Sequence, residues 1–168
     1  GSTDQSILSI GAGLGLIEKK LFEKGYRNIF IQEVSEDAAF YSRTFLNPSN
    51  IYLGSFPECV ESKKFFDYVL LGGIEYIFDD FQFGQLLENI KKFIHKDSKL
   101  IILSWSIEKE DYFSKFKIFL KEMLIKIQFL NPGQFWGYSR TLKELVYLLT
   151  KSGFNVEKAE IDESINPW

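Results

Sequence analysis

Cysteine, histidine, membrane-length apolar runs and clustered positive charge are all scarce in this chain. Its 168 residues hold one cysteine, Cys59, and one histidine, His95. A single thiol excludes a disulfide framework and a cysteine-based zinc site within one chain, and it fits a reducing, cytoplasmic setting. No apolar run approaches the roughly 20 residues of a membrane-spanning helix, and no secretory leader is visible. Lys and Arg total 20 against 23 Asp and Glu, a formal net charge of −3. No long basic run is present. Nonspecific binding to a polyanion needs clustered cations, so nucleic acid is not an expected partner. Lys19-Lys20 and Lys91-Lys92 read as solvated helix faces. The chain opens on Gly1-Ser2 instead of Met, in the manner of a tag scar, and reads as a trimmed piece of a longer protein.

What is abundant is apolar and aromatic: 45% and 17% of residues. That composition and length predict one globular domain, residues 1–168, with a core of its own. Short apolar runs predict buried strands at Ile7 to Ile10, Asn28 to Gln32, Ile51 to Leu53, Tyr68 to Leu71 and Leu100 to Leu103. Between them lie amphipathic stretches. One runs from Leu16 to Lys24. Another runs from Glu36 to Leu46 behind Ser35 as N-cap. A third carries Phe83, Leu86, Leu87, Ile90, Phe93 and Ile94 at helical spacing, with Asp79 and Asp80 as candidate N-caps. Strands buried on both faces and separated by helices imply a parallel sheet with crossover helices. Later, apolar positions from Tyr112 to Leu130 predict a long helix, stopped by Asn131-Pro132-Gly133. An aromatic loop with Trp136 and Tyr138 follows. Thr141 to Glu144 then form a capping box, opening a helix that ends near Ser152 with Gly153 beyond it. A last strand is expected from about Phe154 to Ile161. Residues 108–140 thus read as an inserted helix and loop.

The chemistry-bearing motif is "ILSIGAGLGLI", Ile7 to Ile17. Gly11, Gly13 and Gly15 form a strand-to-helix turn. Glycine lets backbone N–H groups approach a ligand and tolerates φ > 0, and the following helix offers the positive end of its dipole. At the carboxyl ends of parallel strands this is where ligands bind. Glu33 closes the second strand, where a carboxylate can accept both hydroxyl protons of a ribose. The dinucleotide fingerprint needs a sixth-place glycine, and Leu16 stands there. The Gly-Lys-Ser/Thr of a P-loop is absent.

From Ile7 to about Ile161 the chain resembles the class I S-adenosylmethionine-dependent methyltransferases. "ILSIGAGLG" is similar to that family's first motif and "FIQEVS" to its second, with Glu33 as the ribose-binding acid. "FFDYVLLGGIEYIFDD" resembles the fourth-strand motif, "LIILSW" the fifth strand, and "TLKELVYLLTKSGFNVEKAEI" the late helix and sixth strand. The resemblance implies an α/β three-layer sandwich. Its sheet would be doubly wound and mostly parallel, with the last antiparallel strand short or missing. It implies S-adenosylmethionine as cofactor, contacted by Ser9, Gly11, Ala12, Gly13, Gly15, Glu33, Val34, Ser55, Phe56, Leu71 and Gly72, and no metal.

Three positions depart from the family pattern. Ser9 stands where an acid is usual, Ser55 where an Asp often takes the adenine amino group, and Tyr76 where the fourth-strand triplet has His. Methyl transfer from a sulfonium needs mainly alignment and water exclusion, with a base only for a protonated nucleophile. Tyr76 is the candidate catalytic residue and, with Trp136 and Tyr138, the candidate acceptor site. Glu75 is expected to bond backbone. His95 is expected to end a helix at the strands' amino ends, away from the site. The expected function is methyl transfer to an oxygen or nitrogen of a small molecule or sugar, with a homodimer allowed. The alternative is a nucleoside-binding domain inactive without a partner or missing segment.

Overall fold

The computed structural model describes residues 2–61, 63–104, 116, 119–120, 123–127, 137–138 and 140–161. The chain divides into two units, residues 1–74 with 85–104, and residues 75–84 with 105–168.

The first unit holds a five-stranded sheet in the order β3-β2-β1-β4-β5. Its strands are β1 (Ile7–Ile10), β2 (Ile29–Glu33), β3 (Ile51–Leu53), β4 (Phe66–Gly72) and β5 (Ile94–Leu103). Every pairing is parallel. β1 lies at the centre, with Ile7 opposite Ile29 on one side and Tyr68 on the other. That position accounts for its unbroken burial: Leu8 is wholly covered and Ile10 nearly so. The strand order reverses at β1, since β2 and β3 lie to one side and β4 and β5 to the other. Right-handed crossovers then send connecting helices to opposite faces. In such sheets the usual ligand position is at the carboxyl ends of the strands where the order reverses, here β1 and β4.

Helix α1 (Leu16–Glu23) follows the glycine turn. Helix α2 is shorter than its sequence pattern suggests. It spans Glu36–Phe40 and tightens into a 3₁₀ turn at Tyr41–Thr44. Ser35 caps it as expected, its Oγ accepting from the Ala38 N–H at 3.2 Å. Helix α3 spans Asp80–Ile90, and its apolar stripe of Phe83, Leu86, Leu87 and Ile90 is buried.

Strand β5 starts at Ile94, earlier than its apolar run predicts. His95 is therefore a strand residue and not the last residue of a helix. Its Nε2 lies 3.2 Å from Asp67 Oδ1 near the start of β4, so the amino-end location holds while the helix end does not. Two hydrogen bonds from Ser6, backbone and side chain, hold Asp67 below the usual carboxylate range, and His95 adds to the effect.

In the second unit, helix α4 (Leu142–Lys151) opens with the expected capping box. Thr141 Oγ1 accepts from the Glu144 N–H, and the Glu144 carboxylate accepts from the Thr141 N–H at 2.8 Å. The expected sixth strand is not formed. Residues 154–161 have no regular structure and are largely exposed. A strand exists only through bonds to a neighbour, and none pairs with this run among the described residues. Phe116, Phe119, Leu120 and Met123 are helical but exposed, so these members of the long-helix stripe are not core residues. Residues 105–115, 117–118, 121–122 and 128–136, with Tyr112, Phe113 and Leu130 of the predicted stripe among them, lie outside the described residues.

Candidate functional site

The glycine turn is built by three residues with positive φ: Gly11 at 65°, Gly13 at 57° and Gly15 at 70°. Gly15 is demanded by packing, because a Cβ there would overlap the Ser42 hydroxyl of the 3₁₀ turn after α2. Gly13 differs. A Cβ there would meet nothing within 4 Å, so its bare backbone faces open space. The left-handed φ still strains any L-residue at that position.

The carboxyl end of β2 holds this turn in place. Gly11 N–H and Ala12 N–H donate to the Gln32 carbonyl at 2.9 and 3.2 Å. The buried Gln32 side chain adds a second tie: its Oε1 accepts from Gly11 N–H at 3.1 Å, and its Nε2 donates to the Gly54 carbonyl at 2.5 Å. Gln32 thus joins the glycine turn to the loop after β3. Sequence reading passed over it, although an amide following the apolar run of a buried strand was the available signal.

Glu33 is buried and already engaged. Oε2 accepts from the Gly13 N–H at 2.8 Å, and Oε1 accepts from the N–H groups of Val34 at 2.7 Å and Ser35 at 2.9 Å. A carboxylate offers about four accepting positions. One therefore stays open on Oε2, unless the Gly13 bond yields. Glu33 organises the turn first; a ribose diol would meet one ready acceptor and not two.

Behind the turn, Ser9 on β1 donates to Glu18 Oε1 at 2.5 Å. Both residues are 1% exposed, and Glu18 Oε2 has no hydrogen-bond partner. Burial pushes the Glu18 carboxyl above its ordinary value, partly offset by the Ser9 bond. Glu18 sits in the first turn of α1, where the helix dipole favours negative charge. The carboxylate absent from position 9 is thus supplied at the Ser9 hydroxyl by a different element. Sequence reading counted Glu18 as part of an ordinary amphipathic helix.

The remaining expected cofactor residues separate by exposure. Val34 is 69% exposed and Ser55 is exposed. Phe56 is half-buried, its ring 5.3 Å from that of Phe93. Leu71 is fully buried, so only its backbone could meet a ligand. A Cβ on Gly72, the last residue of β4, would stand 3.1 Å from Ile17 Cδ1 of α1. Cys59 is half-buried, and burial pushes its thiol up.

In the second unit, Tyr76 occupies a 3₁₀ turn at Glu75–Ile77, with 38% of its surface exposed. Tyr138 N–H donates to the Tyr76 carbonyl at 2.6 Å. Gly137 has φ 97°, and a Cβ there would overlap both the Tyr76 ring and its carbonyl. Tyr76 and Tyr138 are therefore joined, while Trp136 lies outside the described residues. Arg140, unmarked by sequence reading, secures the junction. Its Nε and Nη2 donate to Asp80 Oδ1 at 3.0 and 2.9 Å. Nη1 donates to the Glu75 carbonyl at 2.9 Å and Nη2 to the Phe78 carbonyl at 2.7 Å. Asp80 is therefore an ion-pair partner and not an N-cap. Asp79 does cap α3, accepting from Gln82 N–H at 2.7 Å.

Among the described residues no group of three or more His, Cys, Asp or Glu could hold a metal ion, and no helix is long and apolar enough to cross a membrane. No family model and no curated protein matches the chain. Solved structures do. The mitomycin 7-O-methyltransferase MmcR is similar with a TM-score of 0.68 at 22% identity, over 94% of this chain and 45% of that one. A SAM-dependent methyltransferase from Archaeoglobus fulgidus gives 0.63 at 17% identity, over 90% and 62%. A structure described as a pericyclic reaction enzyme gives 0.65 at 20% identity, over 95% and 40%. The chain thus spans less than two thirds of each. The parallel sheet, its order and these likenesses define the class: an α/β chain with the class I methyltransferase fold.

Proposed function

We propose that this chain binds S-adenosylmethionine at the glycine turn and transfers its methyl group to an oxygen or nitrogen of a small molecule or sugar. The observation that carries the reading is Gly13, whose Cβ position opens onto free space while its N–H is pinned by Glu33. A close-approaching ligand needs such a bare backbone. The donor set also fits the group. Glu33 keeps one accepting position for a ribose hydroxyl, the exposed Val34 offers an apolar surface, and Ser55 and Phe56 can serve the adenine.

When bound, S-adenosylmethionine supplies a methyl group on a sulfonium that is already an activated leaving group. The protein's share is then alignment and exclusion of water. Tyr76, shortly after the end of β4, is the proposed residue beside the acceptor. The Tyr138 bond to its carbonyl and the Arg140 clamp on both sides of it support a fixed orientation. Tyr138 and Trp136 complete the proposed acceptor wall. A cytoplasmic location and a homodimer belong to the same proposal, the first resting on the single thiol.

The second reading is a nucleoside-binding domain that needs a partner or further segment for activity. Ser9, Ser55 and Tyr76 favour it, and so does the likeness to a pericyclic reaction enzyme, since that fold is not confined to methyl transfer. Isothermal titration with S-adenosylmethionine and its demethylated product tests the shared part: absence of binding to both rejects both readings. A tritiated-methyl assay on metabolite pools then divides them. Replacing Trp136 and Tyr138 with Ala is expected to abolish turnover or raise the acceptor KM, with cofactor affinity changed less than about threefold, ~0.7 kcal/mol.

A further inference from the structure

Gln32 is 3% exposed and follows the apolar Ile29, Phe30 and Ile31 on β2. A buried amide costs free energy unless it is hydrogen-bonded. The partners fix its orientation, since an N–H needs Oε1 and a carbonyl needs Nε2. The two side-chain bonds differ in consequence. Gly11 N–H, which reaches Oε1 at 3.1 Å, also reaches the Gln32 main-chain carbonyl at 2.9 Å. The glycine turn therefore keeps a tie to β2 whatever the side chain. The Nε2 bond to the Gly54 carbonyl at 2.5 Å is made by the side chain alone.

Gly54 follows β3 with φ 124°, a conformation that favours glycine. Its N–H donates to the Glu33 carbonyl at 3.0 Å, which holds the residue but not the peptide unit after it. In a trans peptide the C=O and N–H point in opposite directions within one plane. By holding the Gly54 carbonyl, Gln32 turns the Ser55 N–H away from the buried strand. Ser55 is exposed, and no described residue accepts from its N–H.

Resting on the cofactor reading above, we propose that Gln32 is a positioning residue that sets the hydrogen-bonding polarity of the loop after β3 and so the choice of base. With the Gly54–Ser55 peptide as it stands, the loop offers a donor, the Ser55 N–H. With that peptide turned over, it offers an acceptor, the Gly54 carbonyl. The glycine leaves the second state sterically open, and the Gln32 bond opposes it. A donor suits adenine, whose ring nitrogen N1 has a lone pair and no hydrogen. Hypoxanthine carries a hydrogen on N1 and needs the reverse. Gln32 thus selects between the bases without touching either.

The test compares S-adenosylhomocysteine with S-inosylhomocysteine by isothermal titration. The two share the ribose and the amino-acid end and differ only in the base. The wild-type chain is expected to bind the inosyl ligand about tenfold more weakly, the scale of one hydrogen bond. Gln32→Met keeps the bulk of the side chain and loses both of its bonds. In that variant the gap is expected to shrink below about threefold, while affinity for the inosyl ligand does not fall. A residue that only supports the fold would weaken both ligands alike and leave the gap. Gln32→Leu serves if Gln32→Met does not fold. A wild type that binds both ligands equally overturns the assignment, and so does a folded variant that keeps the full gap. If neither variant folds, Gln32 is a determinant of the fold and the assignment falls as well. A wild type that binds neither ligand overturns the cofactor reading itself, a separate outcome.

Discussion

Arg140 and Glu18 are both buried and ionisable, yet their surroundings differ. Arg140 is well satisfied: four of its five N–H donors bond Asp80 and two main-chain carbonyls, and the guanidinium lies 5.3 Å from the centre of the Phe83 ring. Glu18 is half satisfied, with Ser9 on one oxygen and nothing on the other. A well-satisfied buried charge is a fastener, holding the segment that carries Tyr76. A half-satisfied one carries a desolvation cost, which raises its affinity for a proton.

The largest effect is expected from breaking the fastener. Arg140→Ala should lower stability by about 3 kcal/mol in urea denaturation, from hydrogen bonds to a charged group at about 1.5–3 kcal/mol each. Asp80 contributes little to that loss, because its side chain is 73% exposed. Arg140→Lys should recover less than half, since an ammonium lacks the planar fork. A loss under about 0.5 kcal/mol would remove the distinction between the two sites.

Glu33→Ala comes next. It orphans the N–H groups of Gly13, Val34 and Ser35 and should cost about 2 kcal/mol of stability. It should also weaken cofactor binding by roughly 1.5–3 kcal/mol. Unchanged affinity in a folded variant would leave Glu33 a structural residue alone. Gly13→Val should cost about 1–2 kcal/mol of stability through its left-handed φ, and should abolish titratable cofactor binding because the side chain fills the open space. Normal binding by that variant would show that the turn faces no ligand.

The two smallest effects are dependences on pH. Burial raises the folded Glu18 carboxyl above its ordinary 4.5, despite the Ser9 bond. The folded state thus keeps that proton to higher pH than the unfolded chain, and stability falls as pH rises from the unfolded value through the folded one. Glu18→Gln should remove this fall in a series of denaturation curves. Asp67 has the opposite sign. Its Ser6 bonds lower the folded value below 3.8, so its contribution is present above that pH and is lost as pH falls through the folded value. Asp67→Asn should flatten only the acid limb. The same slope in both variants and wild type would show that neither group is linked to folding.

The strands of the sheet centre, the Ser35 and Thr141 caps and the glycine turn were legible in the residues, because each rests on local rules: burial runs, hydroxyls before helices, glycine where φ is positive. Strand ends were less so. β5 begins at Ile94 because β4 extends its ladder back to Phe66, and a run such as Phe154 to Ile161 becomes a strand only if a neighbour bonds it. Asp80 read as a cap and proved to be the partner of Arg140, distant in sequence.

By itself, then, the sequence determined the α/β alternation, the bare turn after β1 and the acid closing β2, since these follow from local periodicity and backbone freedom. Only the tertiary structure decided that Glu33 is spent largely on backbone N–H groups, that Gln32 ties the turn to Gly54, and that a helix residue supplies Ser9 with a carboxylate. The physical reason is that hydrogen-bond capacity is shared in space: which lone pairs remain open depends on groups that meet only when the sheet and α1 have packed.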